Sequence, residues 1–234
     1  MCGRYALDEN GRALAAQFGL QQLPEITPRY NIAPGTPVLA IRQDVTGRRG
    51  EWMLWGLVPS WTRSASQDRH VPRPFNARSE TVAGRPMFRS AFSSRRCILP
   101  ASGFYEWQHA KGGPKHPWFI RPPGAGVFAM AGIFERSQAD APATCCILTT
   151  GANARVAEVH DRMPVLLDPA AVRDWLDPRT PRDILESLLV PAPLEAMLAF
   201  PVSARVNRAD HDDPSLTRPI GVTPETHEPR ETDA

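Results

Sequence analysis

The chain has 234 residues, of which 42% are hydrophobic and 22% are charged, a composition typical of a soluble globular protein. No apolar run approaches the ~20 residues that span a bilayer, and the N-terminus lacks the pattern of a signal peptide, so we expect a cytoplasmic protein. The four cysteines (Cys2, Cys97, Cys145 and Cys146) are too few for a disulfide framework and lack the ligand spacing of a zinc site. We therefore predict no membrane segment and no bound metal.

The net charge of +2 conceals a gradient along the chain. Residues 1–100 contain 14 Arg and 7 acidic residues, a net charge of +7, whereas residues 209–234 contain 2 Arg and 7 acidic residues, a net charge of −5. Arg outnumbers Lys by 25 to 2, and the guanidinium fork suits phosphate oxygens. Because a GC-rich genome produces the same Arg bias, the basic first half is a hint of nucleic-acid binding and not a demonstration.

The first half of the chain predicts one clear helix and several strands. Residues 8–20 place apolar side chains on one face and stop at Gly19, which is typical of a short helix. Four prolines between residues 24 and 37 predict an ordered loop around residues 30–35. Strand patterns follow at residues 38–42 and 52–55, and a further helix is expected after residues 75–80, ending near residue 85.

The second half predicts buried strands and then helices. Apolar runs at residues 97–100, 118–121, 127–133 and 145–149 indicate strands. Asp168, followed by Pro169, is a typical helix start, and Thr180 repeats that signal. Since no linker divides the chain, we predict one α+β domain over residues 2–216, with a β-rich, barrel-like core and flanking helices. Residues 217–234 are predicted to be a disordered acidic tail.

The residue after Met1 is a cysteine, and that position has chemistry of its own. Initiator methionine is normally removed before a small residue, so the mature chain would begin at Cys2 with a free amine beside its thiol. The amine can condense with an aldehyde to an imine, and the thiolate can then close a five-membered thiazolidine ring. Ordinary pKa values of ~7.7–8.0 for the amine and ~8.5 for the thiol make both groups available near neutral pH. A cysteine also follows the start by chance, so this position alone decides nothing.

Glu106 and His160 are candidates for proton transfer. Glu106 stands among aromatic residues in Phe104-Tyr105-Glu106-Trp107, which should desolvate the carboxylate and raise its pKa. The alternative is a glutamate at a strand edge that pairs with an arginine. His160 lies between apolar residues and charged partners and could shuttle protons near neutral pH, although a lone histidine is more often structural.

Four further residues are candidates for binding. Asn76 and Arg78 would project to the same face of an extended segment, where Arg78 could hold a phosphate and Asn76 could orient an amine. An Asn turn followed by a surface arginine is an equal alternative. Trp55 and Trp61 flank a Gly/Pro loop and would stack on unpaired bases if exposed, the alternative being that one or both belong to the core.

A Met-Cys-Gly start is also found in the class II glutamine amidotransferases, whose N-terminal cysteine attacks an amide carbonyl. In that family Cys-Gly is typically followed by an apolar residue and, downstream, by Asn-Gly-Glu/Asp and Gly-Asn-Gly motifs. Here Arg4 follows Gly3, and neither downstream motif occurs. An N-terminal-cysteine amidohydrolase or amidotransferase is therefore the less favoured alternative.

Nine motifs in a fixed order cover most of the chain. They include Met1-Cys2-Gly3-Arg4-Tyr5, Asn76-Ala77-Arg78-Ser79-Glu80-Thr81 and Val159-His160-Asp161-Arg162-Met163-Pro164, together with residues 30–35, 55–59, 87–89, 96–100, 103–107 and 131–133. In these motifs the chain resembles the abasic-site-processing family, also called SRAP or SOS response-associated peptidase proteins, over residues 2–216.

The resemblance implies a DNA damage response protein that senses abasic sites in single-stranded DNA. After Met1 removal, Cys2 would form a thiazolidine with the aldehyde of the opened sugar and shield the lesion as a covalent DNA–protein crosslink. Glu106 would drive ring opening and proton transfers, His160 would act on the sugar oxygen, and Asn76 would hold the Cys2 amine. The resemblance places three arginines at phosphates and a threonine at the pocket: Arg4, Arg78, Arg162 and Thr149.

The resemblance also implies side activities and a setting. The Schiff base predicts an AP-lyase reaction by β-elimination, and the peptidase description would correspond to removal of Met1. We expect a monomer that needs no cofactor or metal and associates with the nucleoid when bound to DNA. A third hypothesis is a non-covalent reader of damaged or modified DNA, in which Cys2 is buried and inert.

Overall fold

The computed structural model describes residues 2–61, 72–109, 113–124, 126–136, 141–193 and 197–221. Within these residues, strands forming two sheets are surrounded by short helices, which confirms the predicted α+β class with a β-rich core. The strands are β1 (Tyr5–Leu7), β2 (Leu20–Gln22), β3 (Arg29–Ile32), β4 (Pro37–Asp44), β5 (Gly47–Trp55), β6 (Asn76–Arg78), β7 (Arg96–Ala101), β8 (Gly103–His109), β9 (Lys115–Arg121), β10 (Phe128–Glu135), β11 (Thr144–Gly151), β12 (Arg162–Pro164), β13 (Leu166–Leu167) and β14 (Leu198–Pro201).

The smaller sheet has the strand order β14-β9-β8-β1-β3, and its neighbours are antiparallel. Strand β3 overlaps the loop that the sequence predicted, so that prediction was wrong for residues 30–32. The prolines at 28 and 34 flank the strand rather than interrupt it, which leaves its backbone N–H groups able to pair. The N-terminal strand β1 is thereby held in the middle of a sheet, between β3 and β8.

The larger sheet contains a closed ring of strands in the order β5-β4-β7-β10-β11. A parallel pairing of Thr144 and Cys145 with Leu54 and Trp55 closes it. Farther along β11, residues 147–149 pair with β6 and residues 149–151 pair with β12. The sequence predicted β11 from a continuous apolar run. The structure explains that run, because nearly all residues of the strand are buried. The end of β11 therefore brings β6 and β12 together.

Helices within the described residues are short: α1 (Gly11–Phe18), α2 (Ser79–Val82), α3 (Arg89–Ser94), α4 (Ala154–Ala157), α5 (Pro169–Leu176) and α6 (Arg182–Ser187). None of them is long and apolar enough to cross a membrane. The predicted signals hold for α1, which ends at Gly19 with φ 64°, and for α5, where Asp168 accepts two backbone hydrogen bonds. Thr180 does not cap α6, since its hydroxyl donates to the Asp174 carbonyl.

Two hydrophobic clusters lie on opposite faces of the smaller sheet. Side chains alternate along β8, so Phe104 joins the main core while Tyr105 joins a smaller cluster with Phe119 and Leu216. The smaller cluster lies beneath the C-terminal segment, where the Ile220 N–H donates to the Pro201 carbonyl at 3.0 Å. This bond and the bridge between Val202 and Pro219 tie residues 217–221 to the end of β14, and the disordered tail stays a prediction. Residues 222–234 lie outside the described residues.

Candidate active site

Pairing of β1 with β8 places the N-terminus beside Glu106. Tyr5 is paired with Phe104, and the Tyr105 N–H donates to the Arg4 carbonyl at 2.9 Å. Because the strands are antiparallel, residues before Tyr5 run alongside residues after Phe104. The Cys2 side chain is fully buried. Burial raises the pKa of its thiol, and the nearby Glu106 carboxylate raises that pKa further.

Glu106 is the buried carboxylate of the site, with 2% of its surface exposed. It shares the inward face of β8 with Phe104 because side chains alternate along a strand. Burial raises its pKa from the ordinary value of 4.5 to about 7, in the direction expected from the sequence. Both protonation states are therefore populated near neutral pH, which suits a group that gives and takes protons.

His160 is positioned by the turn that follows α4. The backbone N–H of His160 donates to the Val156 carbonyl at 2.9 Å, and the ring Nε2 lies 4.0 Å from Glu106 Oε2. At the other edge of the ring, the Arg162 N–H donates to Nδ1 at 3.0 Å, and Asp161 Oδ1 is also 3.0 Å from Nδ1. Burial lowers the pKa of His160 below its ordinary value of 6.5. A neutral ring that accepts from Arg162 carries its proton on Nε2, toward Glu106.

Asn76 makes a direct hydrogen bond to Cys2. Its Nδ2 donates to the Cys2 carbonyl at 2.8 Å, and its position is fixed by pairing of β6 with β11. Asn76 Oδ1 is buried and has no hydrogen-bond partner among the described residues. The observed contact is thus to the carbonyl of Cys2, whereas the sequence predicted a contact to its amine. The amide oxygen is the acceptor that an amine would require.

The three predicted phosphate-binding arginines have different surroundings. Arg78 is exposed at the end of β6. Arg162 pairs with Glu80, its Nη2 lying 3.0 Å from Oε2, and the same nitrogen donates to the Thr149 carbonyl at 2.6 Å. Arg4 Nη1 donates to Asn31 Oδ1 at 2.7 Å and to the Val206 carbonyl at 2.9 Å. The structure therefore exposes one of these arginines and engages the other two with protein groups.

The two candidate tryptophans differ in their exposure to solvent. Trp55 is fully buried: its Nε1 donates to the Phe75 carbonyl at 2.8 Å, and its ring packs edge-on against Tyr5. The predicted stacking role of Trp55 is corrected by this burial, because its ring offers no face to a base. Trp61 is 65% exposed. Thr149 is also fully buried and meets Arg162 through its carbonyl.

Two surface depressions are lined by some of the candidate site residues. A groove of about 1080 Å³ is lined by Trp61, Asn76, Arg78, Arg85 and Met87, among others. A separate pocket of about 390 Å³ reaches both proton-transfer candidates and is lined by Glu106, Trp107, His109, Lys115, His160 and Asn207. Within the described part of the chain, no three His, Cys, Asp or Glu side chains are grouped as a metal site would require.

Sequence reasoning did not single out Glu80 or Asn31, the partners of two of the arginines. Both stand inside motifs that had been noticed, Glu80 two residues after Arg78 and Asn31 after Tyr30. Asn31 is 3% exposed, and its Nδ2 donates to the Arg208 and His211 carbonyls. The sequence thus offered one signal for these two residues, a charged or amide side chain within a motif. It did not indicate which arginine each one pairs with, because the partners lie far apart in the sequence.

The family model described as SOS response associated peptidase (SRAP) matches residues 1–209. The chain belongs to the SRAP family. This membership leaves the amidotransferase alternative without support, since the whole site lies within the matched residues.

Curated relatives of this SRAP chain carry names that mention abasic sites. It is 37% identical to the abasic site processing protein YoqW of Bacillus subtilis, covering 92% of this chain and 98% of that protein. It is 33% identical to the abasic site processing protein YedK of Escherichia coli, covering 94% and 100% of the two chains. It is 32% identical to the abasic site processing protein HMCES of Gallus gallus, covering 94% and 78%.

Solved structures share the SRAP fold described above. A crystal structure of a protein from Bacteroides thetaiotaomicron matches with a TM-score of 0.81 and 26% identity, covering 93% of this chain and 99% of that chain. A phage-related protein from Bordetella bronchiseptica matches with a TM-score of 0.70 and 28% identity, covering 86% and 94%. The two-sheet architecture is therefore common to these proteins.

Proposed function

We propose that this SRAP protein processes abasic sites in single-stranded DNA, and that Cys2 forms a covalent thiazolidine crosslink with the lesion once Met1 has been removed. The observation that carries the proposal is a convergence of side chains around Cys2. Asn76 Nδ2 lies 2.8 Å from the Cys2 carbonyl, the pairing of β1 with β8 places Glu106 beside the N-terminal segment, and Glu106 Oε2 lies 4.0 Å from His160 Nε2. The names of the relatives, all abasic site processing proteins, support the choice of lesion.

The proposed reaction begins with the sugar. An abasic deoxyribose is mostly a closed hemiacetal, and its ring opens to an aldehyde when a proton leaves the hydroxyl and another reaches the ring oxygen. Glu106 can take the first proton as a carboxylate, and His160 Nε2 can supply the second. The Cys2 amine then attacks the aldehyde carbon, and the former carbonyl oxygen leaves as water to give an imine.

Ring closure uses the thiol of Cys2. The sulfur adds to the imine carbon, its proton is transferred to the nitrogen, and a thiazolidine results without further loss of atoms. Because burial raises the thiol pKa, the thiol needs a base, and the Glu106 carboxylate is available for that step. Asn76 would hold the Cys2 backbone in place through the carbonyl, and its buried Oδ1, which has no partner among the described residues, would accept from the amine once it is free.

The imine gives the reaction a second outcome. It acidifies the adjacent sugar carbon, so β-elimination and strand cleavage compete when the thiol does not close the ring. The peptidase activity named in the family description would correspond here to hydrolysis of the bond after Met1. We expect the protein to act as a monomer and to need no cofactor for either reaction.

A gel experiment tests the proposal. The protein, confirmed by intact mass to lack Met1, is incubated with a single-stranded oligonucleotide carrying one abasic site and run under denaturing conditions. A shifted band is expected from the wild type and from Cys97→Ser, a matched change at another buried thiol, but not from Cys2→Ala. An undamaged oligonucleotide should give no band. Absence of the band from the wild type would overturn the proposal.

A second candidate function is favoured by one observation, the complete burial of Cys2. If that thiol stayed inaccessible, the protein would bind damaged or modified DNA without forming a bond. The same oligonucleotide, analysed under native and denaturing conditions, separates the two functions. A complex that survives only native conditions, and that Cys2→Ala leaves unchanged, would establish the non-covalent reader.

A further inference from the structure

The guanidinium of Arg162 is already occupied by a carboxylate. Both of its terminal nitrogens bond to Glu80, Nη1 to Oε1 and Nη2 to Oε2 at 3.0 Å. A second bond from Nη2 to the Thr149 carbonyl, at 2.6 Å, anchors the group to the end of β11. This two-pronged geometry is also the one in which arginine binds a phosphate. Glu80 therefore fills the fork that a DNA phosphate would need.

Glu80 stands at the edge of the basic groove. The groove beside Asn76 and Arg78 has no acidic residue in its described lining. It shares Thr81 and Arg85 with the neighbouring pocket, which Glu80 lines together with Glu186. The surface is thus continuous from Arg78 to Glu80, the more exposed member of the ion pair. A strand bound along the groove would bring its phosphates toward that pair.

The ion pair is arranged so that it can open. The Glu80 side chain is 52% exposed, so its carboxylate can turn into solvent without being buried elsewhere, whereas the Arg162 side chain is 15% exposed. Arg162 Nε is buried and has no hydrogen-bond partner among the described residues. The present geometry therefore pairs the carboxylate with both terminal nitrogens and leaves one guanidinium donor without a hydrogen bond.

We propose that Glu80 acts as a gate, occupying Arg162 until a phosphate of single-stranded DNA displaces it, and that this exchange weakens binding to undamaged DNA. The inference rests on the proposed function, since it assumes that DNA lies in the groove. Replacing one anion by another at Arg162 yields little net attraction, and the released carboxylate repels the phosphate that displaced it. At an abasic site the covalent bond to Cys2 offsets this weak attraction at Arg162, whereas undamaged DNA forms no such bond. Glu80 would therefore sharpen discrimination in favour of the lesion.

The test measures binding of an undamaged single-stranded oligonucleotide by fluorescence anisotropy over a series of salt concentrations. Glu80→Gln should bind about two- to fivefold more tightly at low salt, the effect of one surface ion pair. The salt dependence of its affinity should steepen by about 0.7 in the log–log slope, because Arg162 then gains a phosphate without releasing a carboxylate that takes up a cation. Glu80→Asp, whose carboxylate is one methylene shorter, should fall between the wild type and Glu80→Gln.

Two controls isolate Arg162. Glu25→Gln removes the same charge from an exposed side chain and leaves both Arg162 and Arg182 paired, so its salt slope should equal that of the wild type. In an Arg162→Gln background, the additional change Glu80→Gln should no longer alter the slope. A Glu80→Gln slope equal to or shallower than that of the wild type, in protein with an unchanged melting temperature, would overturn the gate.

The abasic oligonucleotide distinguishes this failure from failure of the proposed function. If the wild type forms the covalent band but wild type and Glu80→Gln bind undamaged DNA with equal salt slopes, the proposed function stands and the gate is refuted. Wild-type protein that forms no band loses the proposed function, whereas a steeper slope in Glu80→Gln would still support the gate on a DNA-binding surface.

Discussion

His160 and Glu106 face each other, with His160 Nε2 4.0 Å from Glu106 Oε2. Burial is the largest cause of both pKa shifts, and it moves them in opposite directions. It raises the pKa of Glu106 to about 7 and lowers the pKa of His160 below 6.5. At neutral pH the Glu106 carboxyl group is thus partly protonated, unlike that of an exposed glutamate, and the imidazole is mainly neutral. A proton can therefore pass between these groups and a substrate in either direction.

Glu106→Gln should slow crosslinking by about 10²-fold or more, because the amide can neither give nor take the protons of ring opening and ring closure. The rate is measured under single-turnover conditions with the abasic oligonucleotide on denaturing gels. Glu158→Gln, a change at a side chain that is 64% exposed, should react at the wild-type rate. Equal rates for Glu106→Gln and the wild type would remove Glu106 from the mechanism.

The same substitution should stabilise the fold at high pH. The pKa of Glu106 rises from 4.5 to about 7 on folding, so within that window the folded protein binds more protons than the unfolded chain. Stability is therefore lost as pH rises through the window, by about 3 kcal/mol in total. Glu106→Gln avoids this loss, so urea unfolding should find it more stable than the wild type above about pH 7 but not below about pH 4.5. A pH-independent difference would contradict the assigned pKa.

Local patterns were enough to predict much of the fold. Gly19 and Asp168 mark helix ends because caps involve residues close in sequence. The buried strands were predicted from their apolar runs. The closure of the strand ring was not, since it depends on pairing Leu54 with Thr144, which lie far apart in the chain. Nothing in either segment alone specifies the other as its partner.

The site shows the same division between local and distant information. Cys2, Asn76, Glu106 and His160 were chosen by residue type and motif, and the structure brings all of them to one place. Their partners depend on tertiary contacts. The pairing of Arg162 with Glu80 spans 82 positions, so no local pattern indicates that the arginine is occupied. Burial, which separates Trp55 from Trp61, is likewise decided by the sheets and not by the flanking residues.

Trp61 and Trp55 should respond to alanine substitution in opposite ways. Trp61→Ala removes an exposed ring from the groove and should weaken binding to single-stranded DNA by about 1–3 kcal/mol, the usual effect of one stacked base. Its stability should stay within about 0.5 kcal/mol of the wild type. Trp55→Ala removes a fully buried ring and should destabilise the fold by about 3–5 kcal/mol. Anisotropy and urea unfolding measure the two effects, and unchanged DNA affinity in Trp61→Ala would contradict a stacking role.

Gly103 leaves room for the aromatic ring of Phe119 against the strand that carries Glu106. A Cβ placed at Gly103 would lie 2.1 Å from Cζ of Phe119, which is itself 2% exposed. Gly103→Ala should therefore cost about 1–3 kcal/mol of stability through overpacking. Because Gly103 pairs with Ala6 and begins the strand that carries Glu106, crosslinking should slow as well.

Gly151→Ala is the matched control, since a Cβ there meets nothing within 4 Å and should leave both stability and crosslinking near the wild type. The double change Gly103→Ala and Phe119→Leu tests the cause directly. A smaller side chain opposite the new methyl group removes the clash, so urea unfolding should show the pair to be less destabilised than the sum of the single changes. Additive losses would mean that the contact between Gly103 and Phe119 does not set the position of the strand.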